Sequence, residues 1–81
     1  MTLDDLQRGQ SATITAVDWS MLAPDEAKRL RALGLDEGAE VSLAHAGVFG
    51  GRDPLAIVIG RMTVAMRRNH ARAMAIRVEQ A

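Results

Sequence analysis

"LAIVIGRMTVAM", residues 55–66, sets two short apolar runs on either side of a Gly-Arg pair. Leu55–Ile59 is rich in β-branched residues and bounded by Pro54 and Gly60, as a strand is. In the second run Met62, Val64 and Met66 share one face while Thr63 and Ala65 take the other, the period-two alternation of a pleated backbone. A two-residue link that begins with glycine fits a type II′ turn. The stretch reads as a β-hairpin, and it sets the chain as mainly β.

Upstream, AEVSLAH at 39–45 puts Val41, Leu43 and His45 on one face and pairs with 55–59 around GVFGGRDP, residues 47–54. Earlier still, QSATITAVDW alternates Ala12, Ile14 and Ala16 against Ser11, Thr13 and Thr15, giving the first strand. Downstream, MAIRVEQ sends Met74, Ile76 and Val78 inward as the fifth. Five short strands close into a small barrel more readily than an open sheet, because closure removes exposed edges.

Three helical pieces interrupt the strands. APDEAKRLRALGLDEG, residues 23–38, starts with Pro24 at a first helical position, follows with Asp25 and Glu26, and places Ala27, Leu30 and Leu33 on one stripe. Gly34 reads as its left-handed stop, with Leu35 folding back on the last turn. Thr2 and Asp5, around Leu3 and Leu6 and ahead of Gly9, read as a short capped helix lidding the core. In RRNHARA, Asn69 is expected to cap a single helical turn.

At 81 residues the chain is one domain, 1–81, since two cores would leave neither enough buried surface. It has no cysteine, so neither a disulfide framework nor a thiolate metal site holds it. The opening MTLDDLQRG is acidic where a secretory signal is basic, and LAIVI is far too short to span a bilayer, so a soluble, cytoplasmic protein is expected. Net charge is zero, yet residues 1–40 carry eight acids against four bases and residues 41–81 two acids against six arginines. That asymmetry implies a polarised surface, basic at Arg52, Arg61, Arg67, Arg68, Arg72 and Arg77.

Gly47, Gly50 and Gly51 match neither a dinucleotide fingerprint nor a P-loop, and no helix follows them, so the stretch is first a hairpin loop. Phe49 at its tip either tucks over the barrel end or stands out as an anchor beside Arg52. Trp19 is expected to pack on the core. The Arg67-Arg68 pair is open between two solvated side chains and the middle of a basic patch. His45 and His70, the only histidines, are the candidates for a divalent metal, without cysteine or H-x-x-x-H spacing to specify a site. No serine sits in a nucleophile elbow, so no enzyme is expected. With no tyrosine, one phenylalanine and one tryptophan, a base-stacking platform for nucleic acid is not expected either.

Taken in order, Leu3, Leu6 and Gly9, then Leu33, Gly34, Leu35 and Gly38, then Asp53 and Pro54, then Met66, Arg67 and Arg68 make the chain resemble the ferrous iron transport protein A (FeoA) family over nearly its whole length. Met66 stands where that family usually has leucine, and Asn69-His70 replace a small-acidic pair. The resemblance implies an SH3-like barrel in the cytoplasm beside the ferrous iron permease, a membrane protein with a G-domain. The same barrel resembles the C-terminal domain of metalloregulators of the diphtheria-toxin-repressor type, so fold alone does not settle function. The expected reading is an accessory protein that needs no cofactor and touches the permease through Phe49, Arg52, Arg67 and Arg68, associating with membrane at most peripherally. Its alternative is a freestanding metal-responsive module for ferrous iron or zinc.

Overall fold

The computed structural model describes residues 1–46 and 53–79, with His45 and Ala46 as backbone only. Strands β1 (Ser11–Val17), β2 (Glu40–Ala46), β3 (Leu55–Ile59), β4 (Met62–Met66) and β5 (Met74–Val78) form one sheet in the order β4-β3-β2-β1-β5. Every ladder in it is antiparallel. Helix α1 (Pro24–Ala32) follows β1, and α2 (Arg68–Ala71) joins β4 to β5. The fold is mainly β, as the hairpin stretch predicts. Ile59 pairs with Met62 across Gly60-Arg61, and only Gly60 has positive φ, the II′ pattern.

One core gathers Ala12 and Ile14 from β1, Val41 and Leu43 from β2, Leu55 and Ile57 from β3, Val64 and Met66 from β4, and Met74 and Ile76 from β5. Residues from both outer strands meet in this cluster, so the sheet curls around its apolar face. Leu3, Leu6, Leu22, Leu30 and Leu35 close it from the connecting segments.

Helix α1 begins with Pro24 and ends as its sequence requires. Gly34 N–H donates to Arg31 C=O and Leu35 N–H to Leu30 C=O, both at 3.0 Å, which is a Schellman motif. Gly34 sits at φ 93°, and Leu30 and Leu35 are fully buried against the same core. Leu33 is the C-cap, half-buried beside them.

Four expectations need correction. The N-terminal helix is only a 3-10 turn, Leu3–Asp5, ending at Leu6 rather than near Gly9. Ala16 faces solvent, because a bulge between Ile14 and Ala16 shifts the β1–β5 register and exchanges the faces beyond it. Met62 is 46% exposed although it shares a parity with buried Val64 and Met66, since it stands at the outer end of the hairpin. Asn69 does not cap α2; the N-cap is Arg67, two residues earlier, and it has no side-chain cap hydrogen bond.

Trp19 opens a further 3-10 turn, Trp19–Met21, whose start is held by Ser20 N–H donating to the Asp18 carboxylate at 3.1 Å. It is half-buried against the core, and the Arg31 guanidinium lies 4.2 Å from its ring centroid.

Candidate partner-binding surface

The first turn of a helix leaves N–H groups without partners, and arginine at the N-cap offers no acceptor for them. At α2 the acceptor comes from elsewhere in the chain. Asp53 Oδ1 accepts the Arg68 backbone N–H at 2.6 Å. The bond ties the segment entering β3 to the segment leaving β4, next to the Leu55–Met66 pair that ends their ladder. Pro54 follows Asp53 and carries the chain into β3.

The Arg68 side chain is half-buried and turns toward the N-terminal turn, donating from Nη1 to the Asp4 carbonyl at 2.7 Å. Arg72 adds an ion pair to the Asp4 carboxylate at 3.4 Å. Between these groups lies an open cleft of about 580 Å³ that also includes Asp5, Gln7, Arg8 and Leu43. Asp4 is therefore an anchor for two arginines of the α2 segment. No local signal in the sequence marks this role, because the two arginines lie 64 and 68 residues away.

Arg67 differs from its neighbour. It is exposed, and its side chain makes no ion pair with a described residue. Arg67 and Asp53 are thus brought to one junction, with Arg68 beneath it. Phe49 and Arg52, the other two residues expected in the contact, lie outside the described residues, as do Gly47, Gly50 and Gly51. The motif residue Gly38 has φ 87° and donates its N–H to the Ile14 carbonyl at 2.8 Å, fixing the entry to β2 against β1.

His45 occupies β2 opposite Ala56, and His70 is half-buried in α2. Among the described residues no three histidine or carboxylate side chains converge to hold a metal ion. No described helix is long and apolar enough to cross a membrane.

Against known proteins, residues 1–79 match the model of the FeoA domain. No curated protein matches the chain. Among solved structures it is similar to Stenotrophomonas maltophilia FeoA complexed with zinc, at 35% identity and TM-score 0.78 over 95% of this chain and 89% of that one. That protein is described as a prokaryotic SH3 domain protein and a candidate activating factor of bacterial ferrous iron transport. It is also similar to Chlorobium tepidum FeoA, at 31% identity and TM-score 0.81 over 96% of this chain and 70% of that one. Iron(II) transport protein A of Clostridium thermocellum shares the fold at 22% identity and TM-score 0.81, over 96% of this chain and 45% of that one. The SH3-like architecture is common to this chain and these neighbours.

Proposed function

The chain belongs to the FeoA family of small accessory proteins of ferrous iron transport, and from that premise we propose that it works by contact with the cytoplasmic region of the ferrous iron permease. It acts without catalysis, in the cytoplasm, and reaches the membrane only through its partner. The observation that carries this reading is the junction at Asp53, where Arg67 is held exposed while Arg68 is engaged in the fold. An exposed guanidinium with no ion pair to a described residue, at a fixed backbone position, suits a carboxylate or an anionic headgroup. In this reading the same contact takes Phe49 for apolar burial and Arg52 as a second cation.

The test is quantitative binding to the permease's isolated cytoplasmic domain and to full-length permease in detergent, with and without guanine nucleotide. Binding that weakens with Phe49→Ala and with Arg67→Glu supports the contact. Binding unchanged by both variants removes this site, and absence of binding in every condition removes the function.

The zinc complex of the Stenotrophomonas maltophilia relative favours a second reading, a metal-responsive module. Calorimetry with zinc and with ferrous iron tests it, using His45→Ala and His70→Ala as the variants. Heats indistinguishable from dilution would remove this reading.

A further inference from the structure

A curled sheet with five strands still has two outer edges, and this one treats them differently. The β5 edge is covered: Thr2 bridges to Ala75, and Ile76 donates its N–H to the Met1 carbonyl at 3.0 Å. The β4 edge pairs with β3 alone, and no described strand or isolated bridge pairs with its other side. Natural edge strands are blunted by proline, by charge within the strand or by a bulge. Met62–Met66 has no proline and no charge, and its register with β3 runs without a shift.

The register fixes which backbone groups are available. A two-residue turn makes Ile59–Met62 a hydrogen-bonded pair, so along the antiparallel ladder Met62, Val64 and Met66 turn their N–H and C=O toward β3. Thr63 and Ala65 turn theirs outward. The same odd positions form the exposed face, and they continue into Arg61 and Arg67, both exposed and without an ion pair to a described residue. The edge is an uncharged template with a cation at each end, the two roughly 20 Å apart along extended chain.

We propose that the β4 edge is a docking site for an extended segment of another protein, added as a sixth antiparallel strand, with an uncharged β-branched centre and carboxylates at both flanks. Charge decides the occupant. A second copy pairing about Val64 would set Arg61 against the partner copy's Arg67 at both ends, and like charges directly opposite are destabilising. An acidic-flanked strand satisfies both arginines while Thr63 and Ala65 supply the main-chain bonds. This surface goes beyond the permease contact proposed above and shares only Arg67 with it, so Ala65→Pro, which leaves that arginine in place, tells the two apart.

The test titrates the isotope-labelled protein with millimolar synthetic peptide Glu-Thr-Val-Thr-Val-Thr-Glu, and with a peptide that has lysine at both ends instead, reading amide shifts and amide exchange. The expected result is shifts centred on β4, slowed exchange at Thr63 and Ala65, and binding of the lysine-flanked peptide weaker by about tenfold. Ala65→Pro removes only an outward N–H, a change edge strands tolerate, and should abolish binding with thermal melting retained. If that variant fails to fold, the double variant Arg61→Glu with Arg67→Glu should reverse the preference between the two peptides. No shifts at β4, equal affinity for both peptides, binding undiminished in folded Ala65→Pro, an unreversed preference, or self-association through β4 without peptide would each overturn the proposal.

Discussion

Asp53 caps a helix that begins fifteen residues further along the chain: its Oδ1 accepts the Arg68 N–H at 2.6 Å while the N-cap position itself is filled by Arg67. One carboxylate thereby holds the start of β3, the end of β4 and the exposed Arg67 in a single arrangement. Losing an N-cap acceptor costs about 1 kcal/mol. Asp53→Ala should cost that much in chemical denaturation, with melting lower by about 4–8 °C. Asp53→Asn keeps an acceptor oxygen and should lose less than half as much.

Arg67 and Arg68 should separate cleanly in a stability measurement. Arg68 donates to a backbone carbonyl from a half-buried position, and hydrogen bonds to charged groups contribute about 1.5–3 kcal/mol. Arg68→Ala should be destabilising by about 1.5–2 kcal/mol, at the lower part of that range because the site is partly wet. Arg67→Ala should change stability by less than about 0.5 kcal/mol, as exposed substitutions do. Urea titration of both variants, run beside the binding assay, tells a lost contact from a loosened fold.

At Gly34 a side chain would meet an unfavourable backbone conformation and a close neighbour. Its φ of 93° is unfavourable to any L-residue, and an added Cβ would lie 3.4 Å from Ile59 Cδ1. Gly34→Ala should destabilise by about 1–2 kcal/mol. Gly38, at φ 87°, has nothing within 4 Å of that position. Gly38→Ala should therefore cost the backbone term alone and come out the milder of the two in paired denaturation curves.

Leu30 and Leu35 lie on opposite sides of the glycine stop and are both fully buried. Each truncation to alanine should cost about 2–5 kcal/mol. Residues that share a packing site deviate from additivity by about 0.5–3 kcal/mol. A double-mutant cycle should show such coupling, and strict additivity would mean that the stop motif does not join them energetically.

Trp19 is the sole tryptophan, so its emission reports one place. With the Arg31 guanidinium 4.2 Å from the ring centroid, Arg31→Ala should shift that emission and cost about 0.5–1 kcal/mol. Arg31→Lys should retain part of both effects, since the ammonium keeps the charge but not the planar stack.

What the sequence discloses is what neighbours along the chain decide. The α1 stop is legible because Leu30, Gly34 and Leu35 are a local signal, and the 55–66 hairpin because glycine and alternation sit within twelve residues. The faces of β1 beyond Ile14 are not legible, since the bulge there follows from pairing with β5 and leaves no mark in the residue pattern. The same holds for α2. Asn69 is the residue that a local reading selects, but the acceptor arrives from Asp53, across the hairpin. At the candidate surface the sequence names Arg67 and Arg68 together, and only the fold separates them by giving Arg68 the Asp4 carbonyl. Asp4 itself, among several early acids, has only the Thr2 hydroxyl as a local partner, which gives no hint of the two arginines.

That bond between Arg68 and Asp4, with β1 pairing to β5 and Thr2 to Ala75, also orders events in time. The meander from β2 to β4 needs only residues 40–66 and can assemble early. Leu3 and Leu6 belong to the core, and their turn packs on α2 and β5, so a segment near the start of the chain should be the last to dock. Contacts between such distant positions slow folding and belong to its late stages. Loosening Leu3 should therefore quicken unfolding while leaving the rate of refolding nearly unchanged.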